Sequence, residues 1–172
     1  MSLVWREQMS VHNKLIDTEH KYLIDQINAI ELAVNTEDNH DILVKTLNHL
    51  LEYTKSHFAH EEIIQQKIGN PRLAAHKEEH AKLLEEFSKI KASLDEILFA
   101  DKDQNEMASE GDITDDELDD LLSDDSPSAV LTRQDLEPLV GLMRHWLVDH
   151  IIGSDLKLKP LLLKHSVDLS YD

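Results

Sequence analysis

The chain has 172 residues, 35 acidic against 17 basic, a formal net charge of −18, 11 histidines and no cysteine. One domain around a single core is expected at this length, and the lack of cysteine excludes disulfides, thiolate metal ligands, iron–sulfur clusters and cysteine nucleophiles. The charge repels nucleic-acid phosphates and anionic lipid, so neither nucleic acid nor a membrane is an expected partner, while cationic partners and metal ions stay open.

The N-terminal MSLVWREQMS has neither a basic n-region nor an apolar h-region, and no run of 18 apolar residues follows. A cytoplasmic protein without a spanning helix is expected. Ile16, His20, Leu23, Ile27, Ile30 and Val34 then recur at spacings of three and four, one face of a helix. A second stripe runs through Leu43, Leu47, Leu50, Thr54, His57, Glu61, Ile64 and Ile68, and Gly69 and Pro71 mark its stop and the next start. Leu73, His76, His80, Leu83, Phe87, Ile90, Leu94 and Ile97 form the third.

Residues 101–125 then hold twelve acids and one lysine, which leaves only −7 for the rest of the chain. So dense a run of like charge predicts a solvated excursion, with a nascent helix over 114–122. The fourth stripe is Leu136, Leu139, Met143, Trp146 and His150, with Asp135 as the expected N-cap and Pro138 in the first turn. The tail LKLKPLLLKHSVDLSYD is expected to form a short helix broken at Pro160, its leucines against the end of the bundle. The fold class is all-α: an up-down-up-down four-helix bundle with an acidic insertion between the third and fourth helices. Residues 1–172 make one domain, with its core over about 14–98 and 135–156, the insertion over 99–132 and the tail over 157–172.

His20, His57, Glu61, His76, His80 and His150 stand where neighbouring turns supply leucine or isoleucine. Burying a polar group without partners costs roughly 2–7 kcal/mol, so these side chains must satisfy one another or something placed between them. His57 and Glu61, like His76 and His80, are four apart and point the same way from adjacent turns. Asp155, five residues after His150, joins them if the helix loosens at Gly153-Ser154. A lone histidine on an apolar stripe is more often a hydrogen-bonded core residue than a ligand. All four helices contribute here, however, and five imidazoles with two carboxylates suit two metal ions better than one. Nitrogen and oxygen donors fit iron, zinc, copper or nickel, and carboxylates able to bridge favour iron or manganese pairs. His12, His40, His49, His60, His145 and His165 fall outside the stripes or on their flanks and are expected at the surface or boundary; Glu62 is expected to turn away from the site.

IDTEH at 16–20, HFAHEE at 57–62, a proline at 71 followed by HKEEH at 76–80, and WLVDHIIGSD at 146–155 together resemble the hemerythrin family, specifically its single-domain bacterial members. The resemblance covers roughly residues 5–98 and 133–156. It departs from the family in its long acidic insertion and in Asn70, which stands where an aromatic residue commonly precedes the proline. It implies a non-haem di-iron centre that binds molecular oxygen reversibly and is not an enzyme. His76, His80 and His150 would hold one iron and His20 and His57 the other, with Glu61, Asp155 and an oxo or hydroxo group bridging them. Leu23, Ile24, Phe58, Trp146, Leu147 and Ile151 would wall the oxygen pocket.

Carriage, storage or scavenging of oxygen uses only the bundle. A second expectation is an oxygen or redox sensor, because ITDDELDDLLSDD at 113–125 is similar to the acidic-leucine helix by which flagellar motor switch proteins dock chemotaxis response regulators. A third is a di-iron peroxidase or nitric oxide scavenger. Oxidase-type bundles are rich in carboxylate, however, and this donor set is rich in histidine.

Overall fold

The computed structural model describes residues 2–34, 40–106 and 133–165. Four long helices, α1 (Lys14–Val34), α2 (His40–Lys67), α3 (Leu73–Glu106) and α4 (Arg133–Gly153), are followed by a 3-10 turn (Asp155–Leu158) and the short α5 (Lys159–Lys164). Each long helix packs on its chain neighbours, and α1 packs on α4, which closes an up-down-up-down four-helix bundle. There is no strand among the described residues, and none of the described helices is long and apolar enough to cross a membrane.

The local chemistry explains the ends. Asn13 caps α1, its Oδ1 accepting from the backbone N–H of Leu15 (3.0 Å) and Ile16 (3.1 Å). At the foot of α2 the N–H of Asn70 donates to the Gln65 carbonyl (2.9 Å) and that of Gly69 to the Gln66 carbonyl (3.1 Å). These two bonds form a Schellman motif, with Gly69 in the left-handed conformation at φ 66° that the motif requires. Asn70 has a further job in this corner. Its Nδ2 donates to Gln65 Oε1 (2.7 Å), and its Oδ1 accepts from the Arg72 N–H (3.1 Å) just before α3.

Three expectations need correction. Asp135 lies inside α4 and is not its N-cap, and Pro138 falls beyond the first turn, where it forfeits one helical hydrogen bond. Pro160 opens α5 and does not break it, because a fixed φ and a missing N–H are tolerated at a helix start. α3 continues to Glu106, past the boundary drawn at 98, and takes the first part of the segment assigned to the insertion into a helix. The remainder of that insertion, including the helix expected over 114–122 and the motif at 113–125, lies outside the described residues, as does the tail beyond 165.

Two apolar clusters fill the bundle. The larger gathers Leu23, Ile27 and Ile30 of α1, Leu43, Leu47 and Leu50 of α2, Phe87 and Leu94 of α3, and Met143 and Leu147 of α4. The smaller joins Val11, Ile16, Ile64 and Ile68 to Leu158 and Leu162, so the tail does cover that end of the bundle. Along α1, α2 and the chain that leaves α4, three buried ionisable residues fall between the two clusters: His20 after Ile16, Glu61 before Ile64, Asp155 before Leu158.

Candidate metal centre

All seven candidate ligands converge in this gap. Glu61 and Asp155 are fully buried, and His20, His57, His76, His80 and His150 are no more than 7 % exposed. Glu61, His76, His80, His150 and Asp155 form one donor group, and His20, His57 and Glu61 form another, each with ligand atoms close enough to share one ion.

The carboxylates are divided between the groups. Glu61 Oε2 lies 3.3 Å from His76 Nε2 and 3.4 Å from His80 Nε2, while its Oε1 faces His20 Nε2 at 3.8 Å. Asp155 Oδ1 lies 3.2 Å from His150 Nε2 and 3.5 Å from His76 Nε2, while its Oδ2 lies 3.3 Å from His20 Nε2. Asp155 reaches this position because the α-helix ends at Gly153 and the chain tightens into the 3-10 turn, the loosening that the Gly153-Ser154 step predicts.

The charges cannot rest as they stand. Burial lowers His20, and it lowers His150 to about 3, so both imidazoles are neutral at physiological pH. Burial alone would raise Glu61, yet the His76 and His80 imidazoles hold its carboxyl well below the ordinary value. Burial and the neighbouring Glu61 charge push Asp155 well above its own. Both Asp155 oxygens, Glu61 Oε1 and both His20 nitrogens are buried without a hydrogen-bond partner among the described residues. Each such group costs about 1–3 kcal/mol. Cations between the carboxylates and imidazoles would satisfy all of these atoms except His20 Nδ1, and a set of nitrogen and oxygen donors without sulfur fits non-haem iron.

Three acids stand behind the ligands, a part that the sequence reading assigned to none of them. Glu19, 6 % exposed, accepts from His57 Nδ1–H (2.9 Å) and from His60 Nδ1–H (2.7 Å). Glu62 does not turn away as expected: it accepts from His80 Nδ1–H (3.0 Å), with Lys77 Nζ at 3.2 Å. Glu79 accepts from the Ser154 hydroxyl and stands 4.0 Å from His150 Nδ1. A carboxylate on the outer nitrogen fixes the tautomer and aims Nε2 inward. Glu19 was legible in principle, since it lies three residues after Ile16 and four before Leu23, on the apolar stripe. Glu62 and Glu79 adjoin ligands in sequence, but no periodicity marks them.

Of the histidines expected outside, His12, His49, His145 and His165 are exposed and His60 is half-buried against Glu19. The side chain of His40 lies outside the described residues. The expected wall is buried throughout: Leu23, Ile24, Phe58, Trp146, Leu147 and Ile151 all belong to the larger core cluster. Phe58 stacks on His80 with 3.6 Å between centroids and 3° between planes, and Trp146 lies 5.8 Å from Phe58. Trp5, on the N-terminal segment, sits 6.4 Å from His20.

A family model described as the hemerythrin HHE cation binding domain matches residues 11–162. The chain is 32 % identical over 78 residues to the bacteriohemerythrin of Stenotrophomonas maltophilia, covering 45 % of this chain and 50 % of that protein. Against the bacteriohemerythrin of Methylococcus capsulatus the identity is 38 % over 68 residues, 40 % of this chain and 51 % of the relative. The matched stretch thus spans about half the length of these curated relatives.

Proposed function

The chain belongs to the hemerythrin family, and from that premise we infer that it holds two iron ions and binds molecular oxygen reversibly, as a carrier, store or scavenger and not as an enzyme. The observation that carries this reading is the division of the carboxylate oxygens, one of each pair toward His20 and the other toward His76, His80 or His150. One ion would take His76, His80 and His150, the other His20 and His57, with Glu61 and Asp155 shared between them and an oxo or hydroxo group completing the bridge. Iron supplies a Lewis acid that changes charge by one electron at a time, the chemistry that reversible uptake of oxygen needs.

The chain's own residues do the rest. Two carboxylates would set the separation of the ions and offset their charge, while five imidazole donors would keep the centre less anionic than a carboxylate-rich oxidase site. Glu19 and Glu62 hold His57 and His80 in the metal-binding tautomer. Phe58, Trp146, Leu147 and Ile151 keep water from the imidazoles, which slows loss of charged products from a low-dielectric pocket.

Iron analysis combined with optical spectra of the reduced protein before and after oxygen tests the reading. The expected result is two irons per chain and new near-ultraviolet and visible bands that fade when oxygen is removed. Fewer than two irons, or a spectrum indifferent to oxygen, rules it out.

A further inference from the structure

The two halves of the centre are not built alike. Five residues, Glu61, His76, His80, His150 and Asp155, offer donor atoms that all lie close to one another, whereas only His20, His57 and Glu61 do so in the other half. Asp155 adds its Oδ2 there through His20 alone, at 3.3 Å.

The outer support differs as well. His80 is anchored by Glu62 (3.0 Å) and is clamped from the side by the stacked ring of Phe58. In the other half His57 is anchored by Glu19 (2.9 Å), but His20 Nδ1 is buried with no hydrogen-bond partner among the described residues. Trp5, whose ring lies 6.4 Å from that of His20, has its own Nε1 buried with no hydrogen-bond partner among the described residues. On its outer nitrogen, therefore, His20 has no polar partner among the described residues to fix its tautomer. Loss of such an outer partner ordinarily lowers metal affinity by about 10–100-fold.

Resting on the two-ion reading above, we propose that the two halves bind metal with unequal strength and that the half at His20 is the exchangeable one. The protein then loads and releases its ions one at a time. The first ion would occupy the five-residue half, where Glu61 and Asp155 already face the three imidazoles. The second closes the site and is the first to leave, so the His20 half is where a different divalent ion can be substituted to give a mixed-metal centre.

Cobalt(II) alone, added without oxygen to the metal-free full-length protein, tests this through its visible absorption and through metal counted per chain. The expected titration has two steps, the second weaker by at least about ten-fold. A chelator added slowly to the loaded, unaltered protein should remove one equivalent well before the other, a readout that depends on no variant. His20→Ala should lose only the weak equivalent, and Glu62→Ala should weaken the tight one by about 10–100-fold. Two equivalents that bind indistinguishably, or that leave together, overturn the proposal while keeping the two-ion reading. So does loss of the tight equivalent in His20→Ala. Saturation at one ion or none in the unaltered protein overturns the two-ion reading itself, and the proposal with it.

Discussion

At the scale of single residues, HFAHEE shows how neighbours in sequence take unlike parts. Glu61 is fully buried with its oxygens divided between two imidazole groups, while Glu62 stands behind His80 as a hydrogen-bond acceptor. Glu61→Ala is therefore expected to abolish paired metal binding, read as metal per chain, and Glu62→Ala to retain the ions with affinity lowered by about 10–100-fold. Equal loss in both variants would contradict the division of labour. The His150 imidazole carries a pH signature in the metal-free protein. Burial lowers it to about 3, against an ordinary 6.5. A group whose pKa falls on folding contributes its stability in full above the unfolded value and loses it as pH drops from about 6.5 toward about 3. His20 has the same sign, whereas Asp155, raised by burial, has the opposite one. Because these contributions overlap, the check is a difference. Denaturant unfolding of metal-free His150→Phe should show a shallower loss of stability from pH 7 to pH 5 than the parent. An unchanged slope would mean that the imidazole is not held neutral by the fold.

At the scale of elements, the corner between α2 and α3 matters most, because it sets where His76 and His80 stand opposite His57 and Glu61. Gly69 holds the left-handed turn at φ 66°, and a Cβ built there meets nothing within 4 Å. The cost of Gly69→Ala is thus conformational and not steric, about 1–2 kcal/mol, measured as a shift in the denaturant midpoint with unchanged slope. No destabilisation would show that the Schellman corner does not depend on glycine. The stop at Gly69 and the fresh start after Pro71 were legible because backbone conformation is local. The helical state of Asp135 and of residues 99–106 was not. Helix ends fray and differ by a residue or two in assignment, and a polar stretch without a cap or glycine gives no local signal to stop.

At the scale of the whole molecule, a layer of buried ionisable groups separates two apolar clusters, and the fold tolerates it only if the layer is satisfied. Metal bound to the folded chain alone stabilises it by about 3–4 kcal/mol when its concentration is 100 to 1,000 times Kd. Stripping the metal with a chelator should lower Tm by an amount on the order of 10 °C, and adding it back should restore the original value. An identical unfolding curve with and without metal would mean that the layer is not a metal site.

The sequence by itself determined which faces are apolar and which ionisable residues interrupt them, because helical periodicity is local and each stripe can be read alone. It thus reached the four-helix class and the seven candidate ligands. Only the tertiary structure decided which oxygen of Glu61 and Asp155 faces which imidazole, that Glu19 and Glu62 anchor His57 and His80, and that no described residue partners His20 Nδ1. Those facts depend on how four helices rotate and shift against one another. A side-chain contact between residues 38 apart, such as Glu19 with His57, leaves no trace in the spacing of either helix.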